Sequence, residues 1–595
     1  MAHYKVNKKD LFFILKEQIQ YGQLCDLQRY KDLDEKTLDL MVNEAINFAK
    51  KEVAPLNELG EERGVRQENG EVLCPVEFKS AYRKYAENGW LAVARDTEYG
   101  GEGFPHMMRI VVNDLMYGAC QAFNMAPSLT HGAAHLIESF GAQELKDTFV
   151  ARMYNGEWSG TMALTEPEAG SDLGAIETTA YPLGGYAYTI KGAKTFISWG
   201  DPDLTDNIVH LILARIKGAP EGTRGISLFV VPKHRVDEQG NISEFNDVTC
   251  QRIEEKLGLH GSPTASLSFG ERDGCIGYLC GEENRGLAHM FQMMNQARIN
   301  TGVSGMAIAS TAYQNALEYA KNRVQGKDIA KRTSDRVPII QHPDIRRNLM
   351  WMKASVDGMR SMIYTAAYWA DMGHELEDSE LKDHYNNLID FMTPIIKAYC
   401  SDQGFRVTEI AMQCLGGYGY CKDYPIEQYM RDSKIMSLYE GTNGIQSMDL
   451  MGRKMRINDA APYKAFQKEL NDFVQKNSDN EYFADELSEL KETMQKMWEF
   501  SSHMYERMQQ DPLDWGSKTY PSLIAFGELI MAWRLLDMGI IAQKQLEKKK
   551  SNKFYQGKLY QAKYYVSEAL PKVKSIIDSC SRDHSSIVEI DDASL

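Results

Sequence analysis

At 595 residues the chain is too long for one hydrophobic core and calls for three or four domains. Apolar residues make up 43% and charged residues 25%, an ordinary globular balance. The formal net charge of −16 argues against a nucleic-acid role, which needs a concentrated basic surface, and against more than peripheral membrane contact. The ten cysteines lack the paired spacing of a zinc site and read as free thiols of a reducing compartment. No apolar run approaches the roughly 18 residues of a membrane span. The opening Met1–Asp10 stretch lacks the apolar core of a signal peptide, so a cytoplasmic protein is expected.

In chain order, residues 1–40 read as a polar helical extension on the surface. Residues 41–160 read as an N-terminal helical domain, beginning with apolar spacing at Leu38, Met41, Val42, Ala45, Ile46 and Ala49. Its glycine-rich Glu98–Pro105 stretch reads as a loop. His131 and His135 stand four apart without a nearby acidic or cysteine partner, which favours a packed helix over a metal site. Residues 161–285 carry short apolar runs between glycines and prolines: Thr179–Ile190, Lys194–Ser198, Asn207–Arg215, Ile226–Pro232 and Ala265–Phe269. These imply a small central β-barrel-like domain. Long helical periodicity over 286–455 implies a helical bundle, and 456–595 an additional helical domain. Within the latter, Asn458–Glu481 reads as a linker or loose helix. Leu529–Ile541 reads as amphipathic because it carries Arg534 and Asp537, and the lysines of Lys544–Lys574 read as solvated helix faces. The fold class is thus α+β and multidomain.

Several stretches carry chemistry. Met436–Gln446 places one carboxylate, Glu440, between Tyr439 and Gly441; poor solvation in such a turn raises a carboxyl pKa and makes it a better proton acceptor. Thr161–Gly174 runs from a strand into a Pro/Gly loop bearing Ser171 and Asp172, whose hydroxyl and backbone amides suit an anionic or amide-rich ligand. Lys194–Gly200 puts Phe196 and Ser198 on one face of a strand, where an aromatic beside a hydroxyl could cover a flat cofactor. Asn322–Lys327 and Gln341–Asp344 offer an arginine and an amide suited to pyrophosphate.

Taken together and in this order, the motifs resemble those of the acyl-CoA dehydrogenases. The resemblance covers about residues 40–455 and rests on Leu164-Thr-Glu-Pro-Glu-Ala-Gly-Ser-Asp172 before a β domain and Tyr439-Glu-Gly-Thr-Asn-Gly-Ile-Gln446 after a helical bundle. Tyr4 with Leu11–Leu15, Gly258–Pro263 and the C-terminal addition resemble the family's longer branch, which includes 3-methylmercaptopropionyl-CoA dehydrogenase-like and long-chain enzymes. The resemblance implies FAD-dependent conversion of an acyl-CoA to its trans-2-enoyl-CoA. Glu440 matches the base that takes the C2 proton, and electrons pass to an electron-transfer flavoprotein. It implies Met162, Leu164 and Thr165 at the flavin edge and Phe196, Ile197 and Ser198 on its other side. Thr442 and Gly444 touch FAD again. Arg323, Gln341, Gln413, Gly416 and Gly417 match ADP-binding positions contributed across a subunit interface, so a homodimer or larger oligomer is expected. Ser171, Asn295 and Arg298 match CoA contacts, with Tyr439 and Gly441 beside the substrate; no metal is implied. Arg323-Val-Gln-Gly326 is one residue shorter than the family's usual segment. The position before Arg298, where some branches keep their base, is Ala297. An oxygen-using acyl-CoA oxidase and a nucleic-acid-associated stress protein share this scaffold. The terminal Asp591-Asp-Ala-Ser-Leu595 lacks a peroxisomal address, and only Lys544–Lys574 speaks for nucleic acid.

Overall fold

The structure, a computed structural model, describes residues 4–332, 334–548, 551–583 and 585–595. Two units divide the chain: one built on Leu40–Ala297, the other on Lys5–Asp39 together with Arg298–Leu595.

The first unit joins a helical layer to a sheet. His106–Ala119 and Gln121–Phe140 are separated by Cys120, whose extended backbone breaks the helical path. Every residue of His106–Ala119 from Met107 onward is buried. His131 and His135 both lie within the second of these helices, and among the described residues no group of three or more His, Cys, Asp or Glu could hold a metal ion. Helix gives way to strand at Trp158–Ala163, which pairs in parallel with Asn207–Ile216. Gly160 is required there: a Cβ would lie 2.7 Å from that of Ala133.

Eight strands form the main sheet. Five of them close a ring, in the order Ala187–Ser198, Ile276–Leu279, Ile226–Pro232, Asn207–Ile216 and Thr179–Gly184, the last pairing back to the first. This is the small barrel expected from the sequence. Its interior holds Ala180, Ile190, Ile212, Phe229 and Val231, while Val209, Leu211, Leu228 and Val230 on the opposite faces pack with Ala133, Ile137 and Trp158. The central strands are therefore apolar throughout rather than alternating. The run expected as one strand, Thr179–Ile190, is instead a hairpin. Gly184 and Gly185 both adopt positive φ (131° and 58°), a turn that only glycines make without strain.

In the second unit the long helices are Gly286–Asn322 from residue 298 onward, Pro343–Glu375, Ser379–Leu415, Ala484–Gln510, Pro512–Lys548 and Lys553–Cys580. Asp378 caps Ser379–Leu415 by accepting from the amides of Glu380 and Leu381. Lys5–Asp39 is no surface extension: Leu11, Phe13, Ile14, Leu15, Tyr21 and Leu24 are at most 2% exposed. Asp10 meets both Lys353 (2.7 Å) and Lys558 (2.8 Å), and Asp357 meets the same two lysines (2.7 and 2.6 Å). Two anions and two cations thus cancel in a buried square, with the Lys558 ammonium 5.2 Å above the Phe13 ring. Lys558 is therefore not the solvated lysine its composition suggested; Lys549 and Lys550 lie outside the described residues.

One further expectation is sharpened and another changes. Of the two readings of Asn458–Glu481, linker or loose helix, the helix holds: Ile457–Lys476 is helical beyond a reversal at Asn458–Ala460 (φ 52° to 59°), and it buries Ala465, Phe466 and Leu470. Leu529–Ile540 is buried on nearly all sides rather than amphipathic. Its Arg534 is satisfied by Ser361 Oγ (3.1 Å) and Asp537 (3.2 Å), so charge in the sequence did not mean solvent. No helix among the described residues is long and apolar enough to cross a membrane.

Candidate functional site

In the second unit the chain reverses between the short helical turn Lys434–Ser437 and the helix Asn443–Met448. Glu440 and Gly441 make the reversal, with φ of 57° and 83°. For glycine this is ordinary; for glutamate it is strained, and such strain gathers where a side chain must be aimed. Thr442 then caps the helix, its Oγ1 accepting from the Ile445 amide at 3.2 Å.

The Glu440 carboxylate is half-buried. Desolvation lifts its pKa to about 7, against the opposing pull of Arg298 and Lys397. Arg298, from the Gly286–Asn322 helix, is 5% exposed and stands 3.6 Å from Asp449. Lys397, from Ser379–Leu415, is fully buried and donates to Asn443 Oδ1 at 2.8 Å. Burial brings its amine down to about 7, although Glu440 and Asp402 work the other way. A carboxyl and an amine shifted this far toward neutrality mark the turn as a candidate site for proton chemistry. Tyr439 is half-buried beside Glu440, and Asn295 is half-buried in the first unit.

A second locus in this unit gathers other expected residues. The hairpin of Val324–Lys327 with Arg336–Pro338 returns the chain so that the Ile339 amide donates to the Arg323 carbonyl (2.8 Å), which brings the Gln341 segment beside Arg323. The Arg323 guanidinium lies 5.6 Å over the Tyr418 ring. Gly416 (φ 63°) and Gly417 lead into that tyrosine, and a Cβ on either would meet nothing within 4 Å. Arg323, Gln341, Gln413, Gly416 and Gly417 are all exposed. A free guanidinium face, an amide and open glycine backbone form a donor set that fits a pyrophosphate. Lys397 and Gln413 are sixteen residues apart on one helix, about 24 Å at the helical rise, so the two loci are separate places. Gly444 is exposed and Thr442 half-buried.

In the first unit the Thr195 amide donates to the Thr165 carbonyl (2.9 Å), which sets Thr165 beside the Lys194–Ser198 strand end. Phe196 has φ of 58° and is 63% exposed, whereas Ile197 turns inward at 2%. Leu164 is likewise buried and Met162 half-buried. Any part Ile197 and Leu164 play in holding a ligand falls to their backbone. The exposed Phe196 ring, with Thr165 and Ser198 on the backbone segments beside it, offers an aromatic face to one side of a flat heterocycle.

Two residues that the sequence did not single out hold this place together. Lys194, 1% exposed, donates to the Leu164 carbonyl (3.0 Å) and to Glu166 Oε1 (2.7 Å). Glu166 also accepts from the amides of Glu177 (2.6 Å) and Thr178 (3.2 Å), pinning both ends of the loop that presents Ser171 to solvent. Lys397 was missed as well. Its signal was a lone lysine within the apolar run Phe391–Cys400.

Comparison with known proteins accounts for nearly the whole chain. Family models match in order: acyl-CoA dehydrogenase N-terminal domain at residues 35–157, middle domain at 161–271, C-terminal domain at 284–455, and acetyl-CoA dehydrogenase C-terminal like at 466–591. A 3-methylmercaptopropionyl-CoA dehydrogenase of Ruegeria pomeroyi is 35% identical over 100% of this chain and 99% of its own length. A broad-specificity linear acyl-CoA dehydrogenase of Mycobacterium tuberculosis, FadE5, is 34% identical over the full length of both. Among solved structures, Caenorhabditis elegans ACDH-11 in complex with C11-CoA shares the fold, with a TM-score of 0.77 at 21% identity over 92% of this chain and 90% of that one.

Proposed function

The chain belongs to the acyl-CoA dehydrogenase family, the flavin-dependent oxidoreductases, and from that premise we propose that it oxidises an acyl-CoA thioester to the trans-2-enoyl-CoA with Glu440 as base. The observation that carries this is the Glu440 turn: a strained, desolvated carboxylate with a pKa of about 7, facing two buried cations. Such a group is part-ionised at neutral pH and strong enough to take the weakly acidic C2 proton of a thioester.

On proton transfer the Glu440 carboxylate becomes neutral, and the site gains net positive charge from Arg298 and Lys397 just as negative charge develops on the thioester oxygen. At Gly441 (φ 83°) a Cβ would lie 2.7 Å from Gln446 Nε2, so glycine lets the turn close and leaves its backbone amides free to approach that oxygen. Ser171, Asn295 and Arg298 hold the CoA moiety. Thr165, Ser198 and Phe196 would hold the flavin ring of FAD; Arg323, Gln341, Gln413, Gly416 and Gly417 would hold its pyrophosphate and adenosine end. FAD supplies, when bound, the acceptor for the hydride that leaves C3. By the family resemblance the Arg323 locus serves the FAD of a second copy of the chain, so that the working form is a homodimer or larger. Electrons leave to an electron-transfer flavoprotein.

The test is Glu440→Gln in the FAD-loaded enzyme. It is expected to retain the yellow cofactor and bind acyl-CoA while turnover with a dye acceptor falls at least a thousandfold. Near-normal turnover would refute the assignment. The same assay run in air separates dehydrogenase from oxidase, since rapid peroxide release would mark the latter. Flavin bleaching across a series of acyl-CoAs, methylthio-substituted and linear, identifies the substrate.

A further inference from the structure

We propose that Lys397 is a positioning residue for this reaction: its buried ammonium, tied through Asn443 to the helix that follows the base, keeps Glu440 ionised and its turn in place. The inference rests on Glu440 being the base.

A fully buried lysine in an apolar helical stretch is costly unless its charge is used. The hydrogen bonding of Lys397 points toward the base turn. Its amine donates to Asn443 Oδ1 at 2.8 Å, and Asn443 is the first residue of the helix that begins three positions after Glu440. The Asn443 amide nitrogen donates in turn to the Ala398 carbonyl (3.2 Å) and Ser401 Oγ (3.0 Å), so the side chain of Asn443 is fixed at both ends. Lys397 therefore ties the start of this helix to the Ser379–Leu415 helix.

The charges around it decide which anion it serves. Asp402, on the same helix as Lys397, accepts from the Tyr520 hydroxyl. Arg298 is the cation from the Gly286–Asn322 helix and faces Asp449, which also accepts from Arg453 Nε at 2.5 Å. Asp449 is thus bonded to Arg453 and shares Arg298 with Glu440, and Lys397 is the second cation whose field reaches Glu440. Both favour the carboxylate form against desolvation, Lys397 to the extent that its own amine, brought down to about 7, is protonated. The Lys397 amine is bonded to Asn443 and not to the Glu440 carboxylate, so the carboxylate stays available to a substrate proton.

The sign of the effect follows. Without the Lys397 charge, the Glu440 pKa rises and less of the base is ionised at neutral pH. Two variants separate charge from tie: Lys397→Met removes both, and Lys397→Gln keeps a donor toward Asn443 but no charge. Two readouts are taken on FAD-loaded protein. One is the pH profile of kcat/KM with a dye acceptor. The other, without substrate, is the infrared carboxyl band that disappears when Glu440→Gln is added to each background. In both variants the acid limb and the carboxyl midpoint are expected to move up by about one pH unit. Activity near pH 7 then falls about fivefold and recovers at alkaline pH. Activity lowered equally at every pH, with an unmoved carboxyl midpoint, would overturn the proposal and make Lys397 a packing residue. A midpoint that moves while the kinetic limb stays would instead overturn the assignment of Glu440 as base. Lys397→Gln keeps the test open if Lys397→Met does not fold.

Discussion

The molecule holds two buried lysine–glutamate neighbourhoods, and they are used in opposite ways. In the first unit Lys194 touches Glu166 directly, and the carboxylate collects two backbone amides besides. Those contacts outweigh burial and hold the Glu166 pKa below its ordinary value. In the second unit Lys397 is bonded to Asn443 instead, and Glu440, left without such contacts, is driven up to about 7. Burial alone does not make a catalytic group. A hydrogen-bonded carboxylate becomes a structural anchor, whereas one reached only by the fields of cations is left free for the role proposed for Glu440.

The sharpest way to break this contrast is to remove each carboxylate. Glu440→Gln should leave thermal and urea stability nearly unchanged while abolishing turnover, by a thousandfold or more. Glu166→Gln should do the reverse in kind, leaving Lys194 buried and unpaired. Urea unfolding is expected to show a loss of about 3–5 kcal/mol, and activity should fall only as far as folded, FAD-loaded protein is lost. Equal effects from the two variants would erase the distinction. A smaller effect is expected from Arg323→Ala, with weakened FAD retention on gel filtration but a normal pH profile in cofactor excess; unchanged FAD content would remove Arg323 from the cofactor site. The mildest test is pH itself. Glu440 must be deprotonated to act, so kcat/KM should climb with pH through about 7, whereas the Glu166 anchor, ionised already in weak acid, should leave stability flat over that range.

The sequence made one side of the contrast readable and hid the other. Glycine after Glu440 and an aromatic before it suggested a turn with a poorly solvated carboxylate, and the resemblance of the surrounding motifs singled that carboxylate out. Lys194 and Glu166 lay inside motifs noticed for other reasons. Nothing local tells a lysine on a strand that its partner is 28 residues earlier. Lys397 looked like any helical lysine, and its meaning depended on a turn more than forty residues downstream. The same non-locality explains the barrel: its strands were visible as apolar runs, but its closure depends on Thr179–Gly184 pairing with two strands at once. Leu529–Ile540 misled for a related reason, since Arg534 and Asp537 find their partners in Ser361 and Gln18 from remote parts of the chain.

The buried square of Asp10, Lys353, Asp357 and Lys558 has a consequence for how the protein is made. Its first corner emerges from the ribosome almost at once and its last only near the end of synthesis. At about 5–20 residues per second the interval is roughly half a minute to two minutes. Throughout it, Leu11, Phe13, Ile14 and Leu15 have no finished surface to cover them. The second unit is thus completed after translation rather than during it, and a nascent chain stalled before Lys558 should present this N-terminal apolar stretch to chaperones.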